Sequence, residues 1–260
     1  IALLSSCDTG MLQPAIDSLS ANREYPAFYR YLLELSVPAR GELTECIRRI
    51  AEKARPSRAG AVMHDVSDFS RCLELAGELS SDHPGDVGVL APFFMNIIDL
   101  EPGQALYLCS GILHTYIRGT GLELMASSDN VLRGGLTDKH IDIAEFLSVL
   151  DGRPYHPTVI SPNPGRHGSV YRTPAADFEL SAIDLTGGSC NLPSGRPSIL
   201  LCAEGAFRFL ISGETATGRE LPTVLKGSSF FIPACLSGLS IEGHGLCYLA
   251  TVPDIESEAE

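Results

Sequence analysis

Residues 87–128 read VGVLAPFFMNIIDLEPGQALYLCSGILHTYIRGTGLELMASS, and the fold class follows most directly from this stretch. The run at 87–100 is too apolar and too rich in β-branched residues for an exposed strand, which predicts a strand buried on both faces. Pro102 and Gly103 in EPGQ suit a type II turn, because glycine tolerates a positive φ. ALYLCSG, LHTYIRG and LELMASS predict further strands. Short strands joined by tight turns favour an antiparallel barrel or jelly roll.

Before this stretch the sequence predicts helices. GELTECIRRIAEKA (41–54) and VSDFSRCLELAGEL (66–79) repeat apolar residues at the three- and four-residue spacing of an amphipathic helix. Pro26 suits the first turn of a helix that continues through FYRYLLEL, and ARPSRAG (54–60) is typical of a linker. Nothing here points to chemistry, so a helical domain over 1–82 is expected.

After this stretch the sequence predicts one short helix and a second β-domain. DIAEFLSVL (142–150) has helical spacing, and the proline-rich segment RPYHPTVISPNPGRHG (153–168) is typical of a domain boundary. From about residue 170, short strands recur roughly every 8 to 12 residues, which favours a small C-terminal β-barrel. The predicted domains are 1–82, 83–155 and 156–260, in a chain that is mainly β with a helical domain.

Composition excludes several classes of function. The 32 acidic and 19 basic residues give a net charge of −13, and such a field repels the phosphate backbone of nucleic acids. No apolar run approaches the roughly 18 residues of a transmembrane helix, and the opening IALLSSCDTG lacks the basic start of a secretory signal. The eight cysteines form no CxxC pair, which is typical of buried free thiols in a reducing cytoplasm. We therefore expect a cytoplasmic protein without nucleic-acid or membrane partners.

The polar residues of LHTYIRG form the first candidate site. On a strand His114, Tyr116 and Arg118 share one face, and this set suits a polar pocket better than a core. A single histidine on a strand is more often a hydrogen-bonded structural residue than a metal ligand, so both interpretations stay open. Glu123 on the next predicted strand needs either a salt bridge or a metal if it is buried.

A basic, glycine-containing loop follows in SSDNVLRGGLTDKH, residues 127–140. It brings Asp129, Arg133 and Lys139 together, and Gly134 and Gly135 allow the backbone to approach a ligand closely. Two cations beside glycines can hold a phosphate group. Charged loops are also common on surfaces without any ligand, so composition alone leaves both possibilities.

Read together, these residues resemble the type I phosphomannose isomerase family. The shared pattern is a strand like PFFMNIIDLEPGQALYL, a histidine-x-tyrosine pair and the signature SDNVLRGGLT-x-K, in the family's order and spacing. The close match runs from His83 to Ile143, and SDNVLRGGLT is highly specific to the family. The resemblance implies a cupin-like, jelly-roll catalytic β-domain, of which this chain holds a part, beside a helical domain and a C-terminal β-domain.

The resemblance also implies an activity. Members interconvert mannose 6-phosphate and fructose 6-phosphate, an aldose–ketose isomerisation, with one zinc ion per complete active site. His114 matches a zinc ligand, and Arg133 matches the arginine assigned as catalytic. The proton transfer between C1 and C2 needs an acid–base group, and the enediol-like intermediate needs a nearby cation. Four further residues match positions that line the hexose 6-phosphate pocket, namely Tyr116, Glu123, Asp129 and Lys139.

The chain also departs from the family pattern. LHTY stands where the family often has PHAY, which leaves the histidine and the tyrosine in place. The family's other three zinc ligands come from an earlier Q-x-H motif and a K-P-E motif, and neither occurs here. We expect these ligands upstream of Ile1, so that this chain alone is inactive. We also expect the complete enzyme to be a monomer. The alternative hypothesis is a non-catalytic cupin-like protein that binds a sugar phosphate or a protein partner.

Overall fold

The structure is a computed structural model that describes residues 25–54, 68–128, 130–212 and 221–253. The chain divides into two compact units that alternate along the sequence between residues 99 and 157. The domain boundaries predicted at 82 and 155 remain a prediction. Unit 1 combines Ile1–Asp99, Leu108–Ile117 and Asn130–His156, and unit 2 combines Leu100–Tyr107, Arg118–Asp129 and Pro157–Glu260.

Unit 1 is built from helices, which are α1 (Tyr25–Glu34), α2 (Val37–Ala54), α3 (Asp68–Asp82), a 3₁₀ helix (Val87–Phe93) and α4 (Ile143–Val149). α1 carries Pro26 in its first turn, as the sequence predicts. The two amphipathic patterns form α2 and α3, while the predicted linker lies outside the described residues from residue 55 onward. The Asp142 carboxylate caps α4 by accepting a hydrogen bond of 3.0 Å from the Glu145 amide.

The apolar stripes of these helices form the core of unit 1. Leu43, Ile47 and Ala51 repeat every four residues along α2, and all three are buried. Gly77 of α3 lies so close to α2 that a Cβ on it would be 2.5 Å from the Cβ of Ala51. The two helices therefore pack at short range because α3 has no side chain at this position. Other buried members of this core are Phe28, Tyr29, Leu32, Leu73, Leu79, Leu90 and Phe146.

The apolar run at 87–100 is buried over its first half, but it is not a strand. Residues Val87–Phe93 form the 3₁₀ helix, and those up to Pro92 are buried. The Asp86 carboxylate caps this helix by accepting a hydrogen bond from the Gly88 amide. Pro92 also lacks the N–H that an interior strand residue donates to its neighbour. The uniform apolar character therefore reflects burial among helices rather than in a sheet.

Most of the strands predicted between 105 and 128 do not form. Among the described residues of this stretch, only Ala105–Leu106 form a strand, β1. LHTYIRG and LELMASS have neither helix nor strand, and their exposed apolar side chains include Ile117 at 41% and Tyr116 at 70%. A strand needs a hydrogen-bonded neighbour, and no described strand pairs with these two segments. The prediction of strands over 113–128 was therefore wrong for this chain.

Unit 2 is built from antiparallel strands, which besides β1 are β2 (Val159–Ile160), β3 (Asn163–Gly165), β4 (Gly168–Tyr171), β5 (Glu179–Asn191), β6 (Ser198–Ile211), β7 (Thr223–Leu225), β8 (Ser229–Ile232) and β9 (Leu239–Thr251). In the described part of the chain, β1 pairs with β2, and the other strands form one seven-stranded sheet. Its order is β3-β4-β5-β9-β6-β7, and β8 also pairs with β6. The strand β9 therefore lies between β5 and β6.

Two strands of this sheet are longer than the sequence predicts. SILLCAEG and AFRFLISG join to form β6, while LSIEG and GLCYLATV join to form β9. The glycines at the predicted breaks have positive φ values, 79° at Gly205 and 123° at Gly245, and a Cβ on either would collide with the facing backbone. Since the register of β6 also shifts between Cys202 and Glu204, these glycines permit close strand contact at a bulge.

The core of unit 2 lies along β6 and β9. Leu249 and Cys247 of β9 are fully buried, and Cys247 is the Cα partner of Cys202 on β6. The cysteines of the described residues are free thiols. Burial was predicted for them, and this prediction is confirmed for Cys202 and Cys247 but wrong for Cys109 and Cys235, which are exposed.

The structure combines helices with antiparallel sheets, which confirms the coarse fold class. The turn at EPGQ forms as predicted, with a φ of 83° at Gly103 and a hydrogen bond of 3.0 Å from the Gln104 amide to the Glu101 carbonyl. In the ranges that the structure describes, no helix has both the length and the apolar character needed to cross a membrane.

Candidate active site

The imidazole of His114 is oriented by a hydrogen bond to the main chain. Its side chain is exposed, and its Nδ1 lies 2.8 Å from the carbonyl oxygen of Ile112. Because a carbonyl oxygen can only accept a hydrogen bond, Nδ1 is the donor, and in the neutral imidazole the lone pair then lies on Nε2. Metal-binding histidines in proteins commonly donate one ring N–H to a backbone carbonyl in this way.

Tyr116 lies next to His114. Their ring centroids are 5.9 Å apart and the ring planes make an angle of 67°, an edge-to-face contact. The sequence pattern predicts these two side chains on one face of a strand. The structure brings them together although their segment is not a strand.

Arg133 is half-buried and is followed by a buried glycine. A Cβ on Gly134 would lie 2.7 Å from Cζ of Phe146 and 3.0 Å from Cδ1 of Leu113. Leu113 directly precedes His114, so the segment that carries His114 packs through the Leu113 side chain on the segment that carries Arg133, within unit 1. The two residues that the resemblance assigns to zinc binding and to catalysis thus come from neighbouring segments.

After Arg133 the chain bends over residues 135–139, and we call residues 134–137 the GGLT turn. The hydroxyl of Tyr29 donates a hydrogen bond of 2.6 Å to the carbonyl oxygen of Gly134. The carboxylate of Asp86 accepts a hydrogen bond of 3.2 Å from the Thr137 amide. A Cβ on Gly135 would lie 2.9 Å from the Tyr29 hydroxyl oxygen. Both glycines of the turn therefore have a packing role inside the protein, in addition to the ligand approach predicted from sequence.

Tyr29 and Asp86 were not identified from the sequence. Asp86 has a local signal, because aspartate is favoured as the residue directly before a helix, where its carboxylate accepts from a first-turn amide. Tyr29 has none, since its partner lies 105 residues further along the chain. Burial, and to a lesser degree the charge of Asp86, raises the pKa of Tyr29 well above its usual range. The hydroxyl therefore stays protonated and acts as a donor.

The other predicted residues are more scattered. Lys139 is exposed, and its amide donates a hydrogen bond of 3.2 Å to the Thr137 hydroxyl. Glu123 belongs to unit 2 and is exposed, so its carboxylate is solvated and needs neither a salt bridge nor a metal to offset burial. Asp129 lies outside the described residues. Within the described ranges, no group of three or more His, Cys, Asp or Glu side chains could hold a metal ion.

Known proteins with similar sequences include mannose-6-phosphate isomerases from several organisms. The mannose-6-phosphate isomerase of Escherichia coli is 29% identical over 225 residues, which cover 85% of this chain and 56% of that protein. The enzyme of the same name from Rattus norvegicus is 32% identical over 203 residues, covering 74% of this chain and 45% of the relative. The chain belongs to the mannose-6-phosphate isomerase family. It spans about half the length of these two relatives, and no family model matches it.

The fold agrees with that of this family. The crystal structure of mannose 6-phosphate isomerase from Salmonella typhimurium, bound to its substrate fructose 6-phosphate and to zinc, superposes with a TM-score of 0.73. The match covers 97% of this chain and 61% of the Salmonella protein, at 22% sequence identity. At this identity the comparison establishes the fold, and the mannose-6-phosphate isomerase relatives by sequence establish the family.

Proposed function

We propose that the protein containing this chain is a mannose-6-phosphate isomerase, an aldose–ketose isomerase that interconverts mannose 6-phosphate and fructose 6-phosphate. The observation that carries the proposal is the position of Arg133. Within the family signature SDNVLRGGLT, it lies on a backbone segment packed beside the one that carries His114. Fold similarity to a Salmonella enzyme that binds fructose 6-phosphate and zinc supports the same activity.

We assign His114 as one ligand of a single zinc ion. In the neutral imidazole Nε2 would offer its lone pair to the metal, because Nδ1 donates to the Ile112 carbonyl. The described residues do not complete a zinc site, so the remaining ligands would come from other parts of the full-length protein. When bound, zinc would supply Lewis-acid polarisation of the sugar oxygens. With one ligand out of four, the chain by itself would be inactive.

Arg133 would act as the catalytic cation. Isomerisation removes the C2 proton of the open-chain aldose and returns a proton to C1, so negative charge develops on the sugar oxygens in between. A guanidinium fixed close to these oxygens lowers the energy of that charge. Because Gly134 is anchored against Phe146 and Leu113, the backbone of Arg133 is fixed before substrate binds.

Substrate binding would involve Tyr116, which lies at the edge of the His114 ring, together with Glu123, Asp129 and Lys139. Lys139 is suited to the phosphate group, because an exposed ammonium on a flexible side chain can reach a dianion and bind it as a point charge. The partner would thus be a small hexose 6-phosphate. We further propose a monomeric, cytoplasmic enzyme without nucleic-acid or membrane partners.

The finer architecture belongs to the same proposal. The chain would contain part of a cupin-like, jelly-roll catalytic domain over 83–155, beside a helical domain and a small C-terminal β-barrel. The exposed apolar side chains of LHTYIRG and LELMASS support this view, because they would be covered by strands that complete the barrel.

A second candidate function is supported by one observation. The described residues contain no cluster of three potential metal ligands. A non-catalytic protein that binds a sugar phosphate would also lack such a cluster. The two candidates differ in metal content and turnover. A full-length protein that carries about one zinc per chain and converts mannose 6-phosphate in a coupled assay is the isomerase. Binding of the sugar phosphate without zinc or turnover would identify the second candidate and refute the first.

A further inference from the structure

Two side chains of the helical part of unit 1 hold the turn that follows Arg133. We propose that Tyr29 and Asp86 are positioning residues for the isomerase reaction, which fix the GGLT turn and through it the place of Arg133. This inference rests on the proposed function. Neither residue belongs to the family signature, and neither would touch the substrate.

Tyr29 fixes the first carbonyl of the turn. Its side chain is 4% exposed, and its hydroxyl donates a hydrogen bond of 2.6 Å to the carbonyl oxygen of Gly134. The ring is held between two aromatic neighbours, Phe94 at 5.6 Å and Phe146 at 6.0 Å between centroids. The hydroxyl therefore has one position available, and the peptide group directly after Arg133 is bound to it.

Asp86 fixes the other end of the turn. One carboxylate oxygen accepts from the Gly88 amide at 2.7 Å, and the second accepts from the Thr137 amide at 3.2 Å. The same carboxylate thus caps the 3₁₀ helix and holds the last residue of the GGLT turn. An ionised carboxylate is suited to this task, because hydrogen bonds to a charged acceptor are stronger than those between neutral groups.

Between these two anchors, one residue has a backbone conformation that non-glycine residues rarely adopt. Leu136 has a φ of 53°, and no other non-glycine residue in the described ranges has a positive φ. Such a conformation persists only where the surrounding contacts over-determine it, and it is frequent at functional sites. Leu136 also packs closely on Gly88, where a Cβ would lie 2.9 Å from the leucine Cγ. The anchors therefore hold the turn in a strained state that sets the direction of the chain at Arg133.

Variants of Tyr29 and Asp86 would behave differently if these residues had a purely structural role than if they position Arg133. Loss of a structural hydrogen bond lowers stability and leaves the turnover of the folded fraction unchanged. Loss of a positioning contact lowers kcat with KM almost unchanged, and the loss depends on the presence of Arg133. Hydrogen exchange at the turn adds a readout that needs no activity.

The test uses the full-length, zinc-loaded protein with Tyr29→Phe and Asp86→Asn. The matched control is Tyr171→Phe, because the Tyr171 hydroxyl donates a similar hydrogen bond of 3.0 Å to the Gly103 carbonyl in unit 2. We expect amide exchange over 134–137 to accelerate about tenfold in both test variants and not in the control. We also expect kcat to fall about tenfold in the test variants, with KM within about twofold of wild type.

The double variant Tyr29→Phe/Arg133→Ala makes the test specific. If Tyr29 acts through Arg133, the double variant has the same kcat as Arg133→Ala alone. Independent, multiplying losses would overturn the proposal, as would wild-type exchange at the turn in Tyr29→Phe. If the wild-type protein shows no turnover at all, the proposed function fails and the positioning role fails with it, while the exchange comparison still reports separately whether Tyr29 and Asp86 hold the turn.

Discussion

The rings of His114 and Tyr116 lie edge to face, 5.9 Å apart between centroids, while Nδ1 of the imidazole donates to the Ile112 carbonyl. The hydrogen bond selects the tautomer, and the phenol restricts rotation of the imidazole. Two independent contacts thus give Nε2 a defined direction, although the surrounding segment has no regular secondary structure.

Replacing His114 by alanine should abolish zinc binding in the full-length protein, because a tetrahedral site depends on each of its ligands. We expect less than about one tenth of the wild-type zinc content, measured by inductively coupled plasma mass spectrometry. Tyr116→Phe is the control, since it keeps the ring contact and should retain the metal. A His114→Ala protein with a full complement of zinc would refute the ligand assignment.

Replacing Arg133 by alanine should leave zinc in place and lower kcat by about 10²- to 10³-fold, as expected for a group that stabilises developing charge. Arg133→Lys should recover only part of this loss, because an ammonium lacks the planar donor fork. A coupled isomerase assay with parallel zinc analysis measures both effects. Turnover near the wild-type value in Arg133→Ala would show that another group carries the catalytic charge.

The protein should become less stable in alkaline solution, because the buried Tyr29 hydroxyl resists losing its proton. Burial raises the pKa of Tyr29 above its ordinary value of 10.0, so the folded protein keeps a proton that the unfolded chain releases. This contribution is complete below pH about 10 and is lost as the pH rises toward the folded pKa. In that range the unfolding free energy of wild type should fall, relative to Tyr29→Phe, by about 1.4 kcal/mol per pH unit. Denaturant titrations that give parallel pH profiles for the two proteins would contradict this assignment.

The thiols should differ strongly in reactivity toward iodoacetamide. Cys109 and Cys235 are exposed, whereas Cys202 and Cys247 are 1% and 0% exposed. Burial and the neighbouring Cys202 raise the pKa of Cys247 to about 12, and only the thiolate is nucleophilic. Peptide mass spectrometry at mildly alkaline pH should find Cys109 and Cys235 alkylated in the native protein.

The buried pair should react only after denaturation, and labelling in guanidinium serves as the control for complete alkylation. Burial limits access to both thiols, and the raised pKa of Cys247 also limits its ionisation. The native rates of Cys247 and Cys235 should therefore differ by a factor on the order of a thousand. Equal native rates for Cys235 and Cys247 would show that β6 and β9 separate readily.

The helical part of the fold was predictable because local signals coincide with the final packing. The stripe Leu43, Ile47 and Ala51 faces the core of unit 1 as its spacing predicts, and Asp142 caps a helix as such residues usually do. Gly205 and Gly245 misled the prediction of strand ends, since they permit close strand contact instead of a turn.

The segment 113–128 shows the limit of local patterns. Its residues alternate as strands do, yet strand formation depends on a neighbour that local sequence does not contain. The site was predictable in part. His114 was predicted from the histidine-x-tyrosine pair and Arg133 from the signature SDNVLRGGLT. The comparisons confirm the family, while the roles of these two residues stay predictions. Tyr29 was missed because a hydrogen bond across 105 residues leaves no pattern in either segment.

The central place of β9 has a consequence for how the protein is made. β5 and β6 are synthesised first, but in the described sheet they are joined through β9, which pairs with both. The sheet therefore cannot close during translation until residue 251 has left the ribosome. Until then two long strands keep open edges that invite pairing with other chains, and nascent protein in this state is a natural client for chaperones.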